Sequence, residues 1–114
     1  MIEIIKSSKE LSKVEVYLMT VSPAMIGINS LEDETKIDVS AYCWYRSVKD
    51  TGEVTDLLSI LGPDKKVYVT SSDTFKQSFE DIAAIFEGEE FTIVKTSKTS
   101  KAGRKYILAY LDVK

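Results

Sequence analysis

The chain has 114 residues, 44% of them apolar and 29% charged, with a net charge of −3. That suffices for one domain with its own core, and no apolar run approaches the roughly 20 residues needed to span a bilayer as a helix. With no His and a single cysteine, Cys43, zinc sites built from Cys and His, the commonest general base and the Ser-His and Cys-His triads are all excluded.

Taken in chain order, Ile2–Ile5 is a short apolar run that reads as a strand or an extended arm. The N-terminus lacks the basic start, long apolar stretch and cleavage site of a leader, and the lone thiol fits a reducing compartment, so a cytoplasmic protein is expected. Ser7 stands three residues before Glu10, the spacing of a capping box. Leu11, Val14, Leu18 and Val21 then recur at helical spacing up to Pro23. Residues 22–34 read as a connection, and Glu32-Asp33-Glu34 as a solvated turn.

From Lys36 the period becomes two. Ile37, Val39, Ala41, Cys43 and Tyr45 fall on one face of a strand, the expected core face; Tyr42, Trp44 and Arg46 fall on the other. Asp50-Thr51-Gly52 marks a turn before a strand over Val54–Leu61, and Gly62-Pro63-Asp64-Lys65 a second turn before Val67–Thr70. Ser71-Ser72-Asp73 supplies helix caps. Phe75, Phe79, Ile82 and Phe86 make an amphipathic helix closed by Gly88, and Phe91–Lys95 and Tyr106–Val113 are the last strands.

Over residues 35–113 this gives β-β-β-α-β-β, the element order of the five-stranded oligonucleotide/oligosaccharide-binding (OB) barrel. The expected organisation is therefore one mainly β domain: residues 1–34 form an N-terminal strand, helix and connection, and 35–114 an OB-like barrel.

Residues 96–105, Thr-Ser-Lys-Thr-Ser-Lys-Ala-Gly-Arg-Lys, read as a flexible basic loop between the last two strands. Phe91–Leu111 carries five basic residues, Lys95, Lys98, Lys101, Arg104 and Lys105, and no acidic one. A positive island on an acidic chain suits a phosphate backbone. In an OB barrel this loop and the one entered by Arg46 and carrying Lys49 flank the ligand. Tyr42, Trp44 and Tyr68 lie opposite core residues and read as stacking platforms for bases. Tyr106 and Tyr110 share a face of the last strand and read as core. Cys43 reads as a buried small hydrophobe.

At Ser97–Ile107, Ser-Lys-Thr-Ser-Lys-Ala-Gly-Arg-Lys-Tyr-Ile, together with Ser72-Asp73-Thr74-Phe75 and Phe79-Glu80-Asp81-Ile82, the chain resembles small single-stranded-DNA-binding proteins of Gram-positive phages and mobile elements. The likeness covers roughly the last two thirds of the chain. It implies a short cytoplasmic barrel that coats exposed strands during DNA replication or transfer, with phage or host replication proteins as partners. Many such proteins end in an acidic tail, whereas this sequence closes on Leu111-Asp112-Val113-Lys114. The expectation is a non-enzymatic single-stranded nucleic-acid-binding protein of low sequence specificity, with no cofactor or metal and with homodimerisation left open. The alternative is a phage-encoded protein-interaction module or inhibitor of a host factor.

Overall fold

The computed structural model describes residues 1–113; Lys114 lies outside them. It shows a mainly β protein with two α-helices among the described residues. Strands β1 (Ile2–Ser7), β4 (Ala41–Val48), β5 (Val54–Leu61), β6 (Val67–Thr70) and β2 (Ile26–Gly27) form one sheet in the order β1-β4-β5-β6-β2. Strands β3 (Thr35–Val39), β7 (Phe91–Thr99) and β8 (Lys105–Leu111) form a second, in the order β3-β7-β8. Helix α1 is Lys13–Thr20 and α2 is Asp73–Phe86. Neither is long and apolar enough to cross a membrane.

The run that reads as one strand from Lys36 is divided at Ser40, whose N–H bonds the Leu61 carbonyl. Before it, β3 pairs with β7; after it, β4 pairs with β5 and β1. The change of sheet splits the period-two face between two cores. Ile37 and Val39 join Leu58, Ile60, Phe75, Phe79, Phe91 and Ile93 in the larger cluster. Ala41, Cys43 and Tyr45 join Met19 of α1, Leu61 and Val67 in the smaller. Because β4 is covered on both sides, alternation along it separates two interiors rather than core from solvent.

Both helices are capped locally. In α2 the Ser72 hydroxyl accepts from the Phe75 N–H at 3.3 Å, and the chain leaves through Glu87 (φ 50°) and Gly88 (φ 90°), so the left-handed turn begins one residue before the expected glycine. The capping box of α1 is Ser12 with Glu15, not Ser7 with Glu10. Ser7 instead continues β1, paired with Cys43, and the Ser8 hydroxyl accepts from the Tyr42 N–H.

Hydrogen bonds do not close the two sheets into a barrel. The outer edge of β6 is taken by β2, with Ile26 opposite Tyr68 and Gly27 opposite Val69. The outer edge of β8 is taken by hydroxyls of α2: Ser78 Oγ accepts from the Ala109 N–H at 2.9 Å, and Thr74 Oγ1 donates to the Ile107 carbonyl at 2.8 Å. The edges that would meet in a closed barrel thus already have partners, and α2 lies in the gap.

Candidate nucleic-acid interface

The register of the β3-β7-β8 sheet sorts its residues by face. Inward point Ile37, Val39, Phe91, Ile93, Ile107 and Ala109, all buried. Outward, β8 presents Tyr106, Leu108 and Tyr110 opposite Lys98, Thr96 and Val94 of β7, and Lys36 of β3 stands beside Val94. The helices cover other surfaces, α1 the smaller core and α2 the larger, which leaves this face open. Tyr110 is 44% exposed, and Tyr106 and Leu108 are half-buried.

Lys98 Nζ lies 5.6 Å from the centre of the Tyr110 ring. A cation over an exposed ring contributes about 0.5–1 kcal/mol, and here it also fixes a positive charge beside two rings. A hydrogen bond to the Tyr110 hydroxyl, and then the proximity of that phenol, hold the Lys98 ammonium above its ordinary range. The group therefore stays charged at neutral pH.

The hairpin beyond is not a ten-residue flexible loop. β7 runs to Thr99 and β8 starts at Lys105, so Lys98 and Lys105 are strand residues and only 100–104 form the turn. Ser100 closes it: its N–H bonds the Arg104 carbonyl at 2.7 Å, its carbonyl accepts from Gly103 and its hydroxyl from the Arg104 N–H. Gly103 sits at φ 84°, which a side chain would strain. Lys101, Arg104 and Lys105 are exposed. None of the six ion pairs among the described residues uses Lys98, Lys101, Arg104 or Lys105.

The other expected phosphate contacts are differently placed. Lys95 points inward and is 3% exposed; its ammonium donates to the Leu31 carbonyl at 2.7 Å and to Asp33 at 3.0 Å. It is a fastening for the connection before β3, because β7 carries it on the core-facing side where no phosphate can reach. Arg46 makes a two-bonded pair with Asp56 at 2.8 and 3.3 Å on the five-stranded sheet, and Lys49 faces Glu53 at 3.9 Å across the β4–β5 turn. Both cations are thus paired with carboxylates of the five-stranded sheet and its β4–β5 turn.

The expected stacking rings are separated too. Tyr42 is 8% exposed and meets Phe79 edge-on at 5.1 Å, so it cannot receive a base. Trp44 is half-buried, 6.2 Å from Phe79, and walls a cleft of about 430 Å³ between β1 and α2 with Ile5, Lys6, Lys76 and Glu80. Both rings look inward because β4 has a core on each face. Tyr68 is half-buried and shares a shallow hollow with Lys36 and Asp38, so of the three it alone adjoins the open face, across β3. Tyr106 and Tyr110, read as core from the sequence, are the rings on the outer face, Tyr110 exposed and Tyr106 half-buried. The available signal was their alternation with Ile107 and Ala109: the smaller pair suits the interior, and phenol hydroxyls seek water.

Asp33 anchors the fastening from the other side. The Ser97 hydroxyl donates to it at 2.6 Å and Lys95 at 3.0 Å, and these bonds hold its carboxyl below the ordinary value of 3.8. A depressed carboxyl contributes stability above its unfolded pKa and loses it as pH falls through the folded one. Stability followed by denaturant midpoint should therefore fall as pH drops from about 5 to about 3. Asp33→Asn should lower the midpoint at neutral pH and flatten that limb, with the two proteins converging in acid. An unchanged limb would remove the role assigned to Asp33.

Cys43 is buried, and burial pushes its thiol up to about 11, as befits a core residue rather than a nucleophile. No cluster of acidic or sulfur ligands that could hold a metal ion occurs among the described residues. No protein-family model, curated protein or solved structure matches the chain.

Proposed function

We propose that the protein binds single-stranded nucleic acid, DNA in the first instance, with low sequence specificity, and that it does so on the outer face of β3-β7-β8. The observation that carries the reading is the juxtaposition of Tyr106 and Tyr110 with Lys98, at the end of the sheet where the turn carries the exposed cations Lys101 and Arg104; Lys105 alternates with Tyr106 and lies toward Asp33. Rings that accept any base, beside charges that follow a backbone, are the elements of non-specific single-strand binding. The architecture reads as an opened relative of the OB barrel. Its strand Thr35–Val48 is shared by both sheets, and its helix lies between the third and fourth strands of the β-β-β-α-β-β order. The resemblance at Ser97–Ile107 points the same way.

Titration of labelled oligo-dT by anisotropy at low salt tests it. Binding should weaken with added salt, with a log–log slope of about −2 to −3 if three or four phosphates are neutralised. No binding at tens of micromolar protein would end the reading.

A protein-interaction module is the second reading, favoured by Val14 and Tyr17, which stand exposed on α1, and by Val21, exposed at its C-terminal cap. Retention of one host protein through nuclease treatment in a pull-down would support it.

A further inference from the structure

Resting on that reading, we infer that the ligand is an extended, unstacked strand, held as about three bases along β8 with its phosphates on the β7 side. Same-face residues on a strand are spaced at about 6.8 Å, twice the roughly 3.4 Å rise of a stacked nucleic-acid strand. Tyr106, Leu108 and Tyr110 are successive on one face. They therefore match bases pulled apart, one per two residues, and not a helical stack. A duplex, with its bases paired and stacked, does not fit this spacing.

Charge decides where the backbone runs and where it stops. On the far side of β8 lies α2, whose Thr74 and Ser78 touch the strand and whose exposed Asp81 occupies the same flank one to two turns on. On the near side are Lys98 and Thr96. Along the strands, the cationic hairpin is at one end. At the other, Asp38 accepts from the Thr92 hydroxyl at 2.7 Å, Asp112 faces Lys36 at 3.2 Å, and Glu90 borders Asp38 in a surface hollow. A polyanion entering at the hairpin meets Asp38 and Glu90 beyond Tyr110, which bounds the footprint, Asp112 being already paired with Lys36.

Competition by unlabelled dT2, dT4, dT6 and dT12, with a duplex of twelve base pairs alongside, reads the footprint in the wild-type protein. Affinity per register should be level within about threefold from dT4 to dT12, drop about tenfold or more at dT2, and be weakest for the duplex, since each stacked base contributes about 1–3 kcal/mol. In Asp38→Lys, dT6 should bind more tightly, with a salt slope steeper by about 0.7 for one added phosphate, while dT2 is unchanged. Affinity per register that keeps rising to dT12, a duplex that competes as well as dT12, or an equal effect of Asp38→Lys on dT2 and dT6 would overturn the extended three-base footprint alone. Failure of every oligonucleotide to bind would remove the nucleic-acid reading itself.

Discussion

Replacing Tyr106 and Tyr110 together by alanine should weaken oligo-dT binding by about 2–4 kcal/mol, roughly thirty- to a thousandfold. Each ring offers a stacking face worth about 1–3 kcal/mol, and removal of Tyr110 also leaves Lys98 without the ring it lies over. Stability should change little, because Tyr110 is exposed and the strand is held from within by Ile107 and Ala109. The contrast is Trp44→Phe, which keeps an aromatic contact to Phe79 and lies in the cleft on the other flank of α2. Its affinity should match the wild type. If the double alanine variant binds as tightly as the wild type, or if Trp44→Phe is the damaging change, the bases are not held on β8.

Phe79→Ala should give the largest loss of stability, about 3–5 kcal/mol, visible as a lowered midpoint in chemical denaturation. Phe79 is fully buried on α2, and its ring meets Tyr42 at 5.1 Å, Phe91 at 5.7 Å and Trp44 at 6.2 Å. These contacts join the helix to both sheets, beside the hydrogen bonds from Thr74 and Ser78 to β8 and from Lys76 to the Asp56 carbonyl of β5. Domains of this size are stable by about 5–15 kcal/mol, so the deletion removes a large share. A loss below about 1 kcal/mol would show that the two sheets are held together by something other than this aromatic cluster.

The elements from Val54 to Phe86 were legible because each is stated locally. Phe75, Phe79, Ile82 and Phe86 mark one helical face, Ser72 caps it, and turns at Gly62-Pro63 and Asp50-Thr51-Gly52 bound the strands. Cys43 could be assigned to the interior from its place among Val39, Ala41 and Tyr45. The capping box of α1 was misplaced because two candidates, Ser7-Glu10 and Ser12-Glu15, have the same spacing. Only the pairing of Ser7 with Cys43 rules out the first.

The candidate site was half legible. A basic hairpin near the C-terminus follows from composition alone, and four of its five cations are exposed. The fifth, Lys95, follows the same charge pattern but sits one register position from the outer face, so its direction is set by β3 and β8 rather than by its own neighbours in the chain. The rings divide for the same reason. Tyr42 and Trp44 alternate with core residues as faithfully as any exposed pair, but α2 covers their side of β4, whereas no helix covers the outer side of β8.

Strand and helix positions, the cationic hairpin and the absence of His-based chemistry were written in the order of the amino acids, since caps, turns and periodicity act over a few residues. Which rings meet water, which lysine is sealed inside and whether the sheets join depended on packing between segments far apart in the chain. Ser40 hands one continuous strand from sheet to sheet, and Thr74 and Ser78 occupy an edge that a closed barrel would need. Those choices are made by long-range partners competing for the same backbone groups, and no local pattern records who wins.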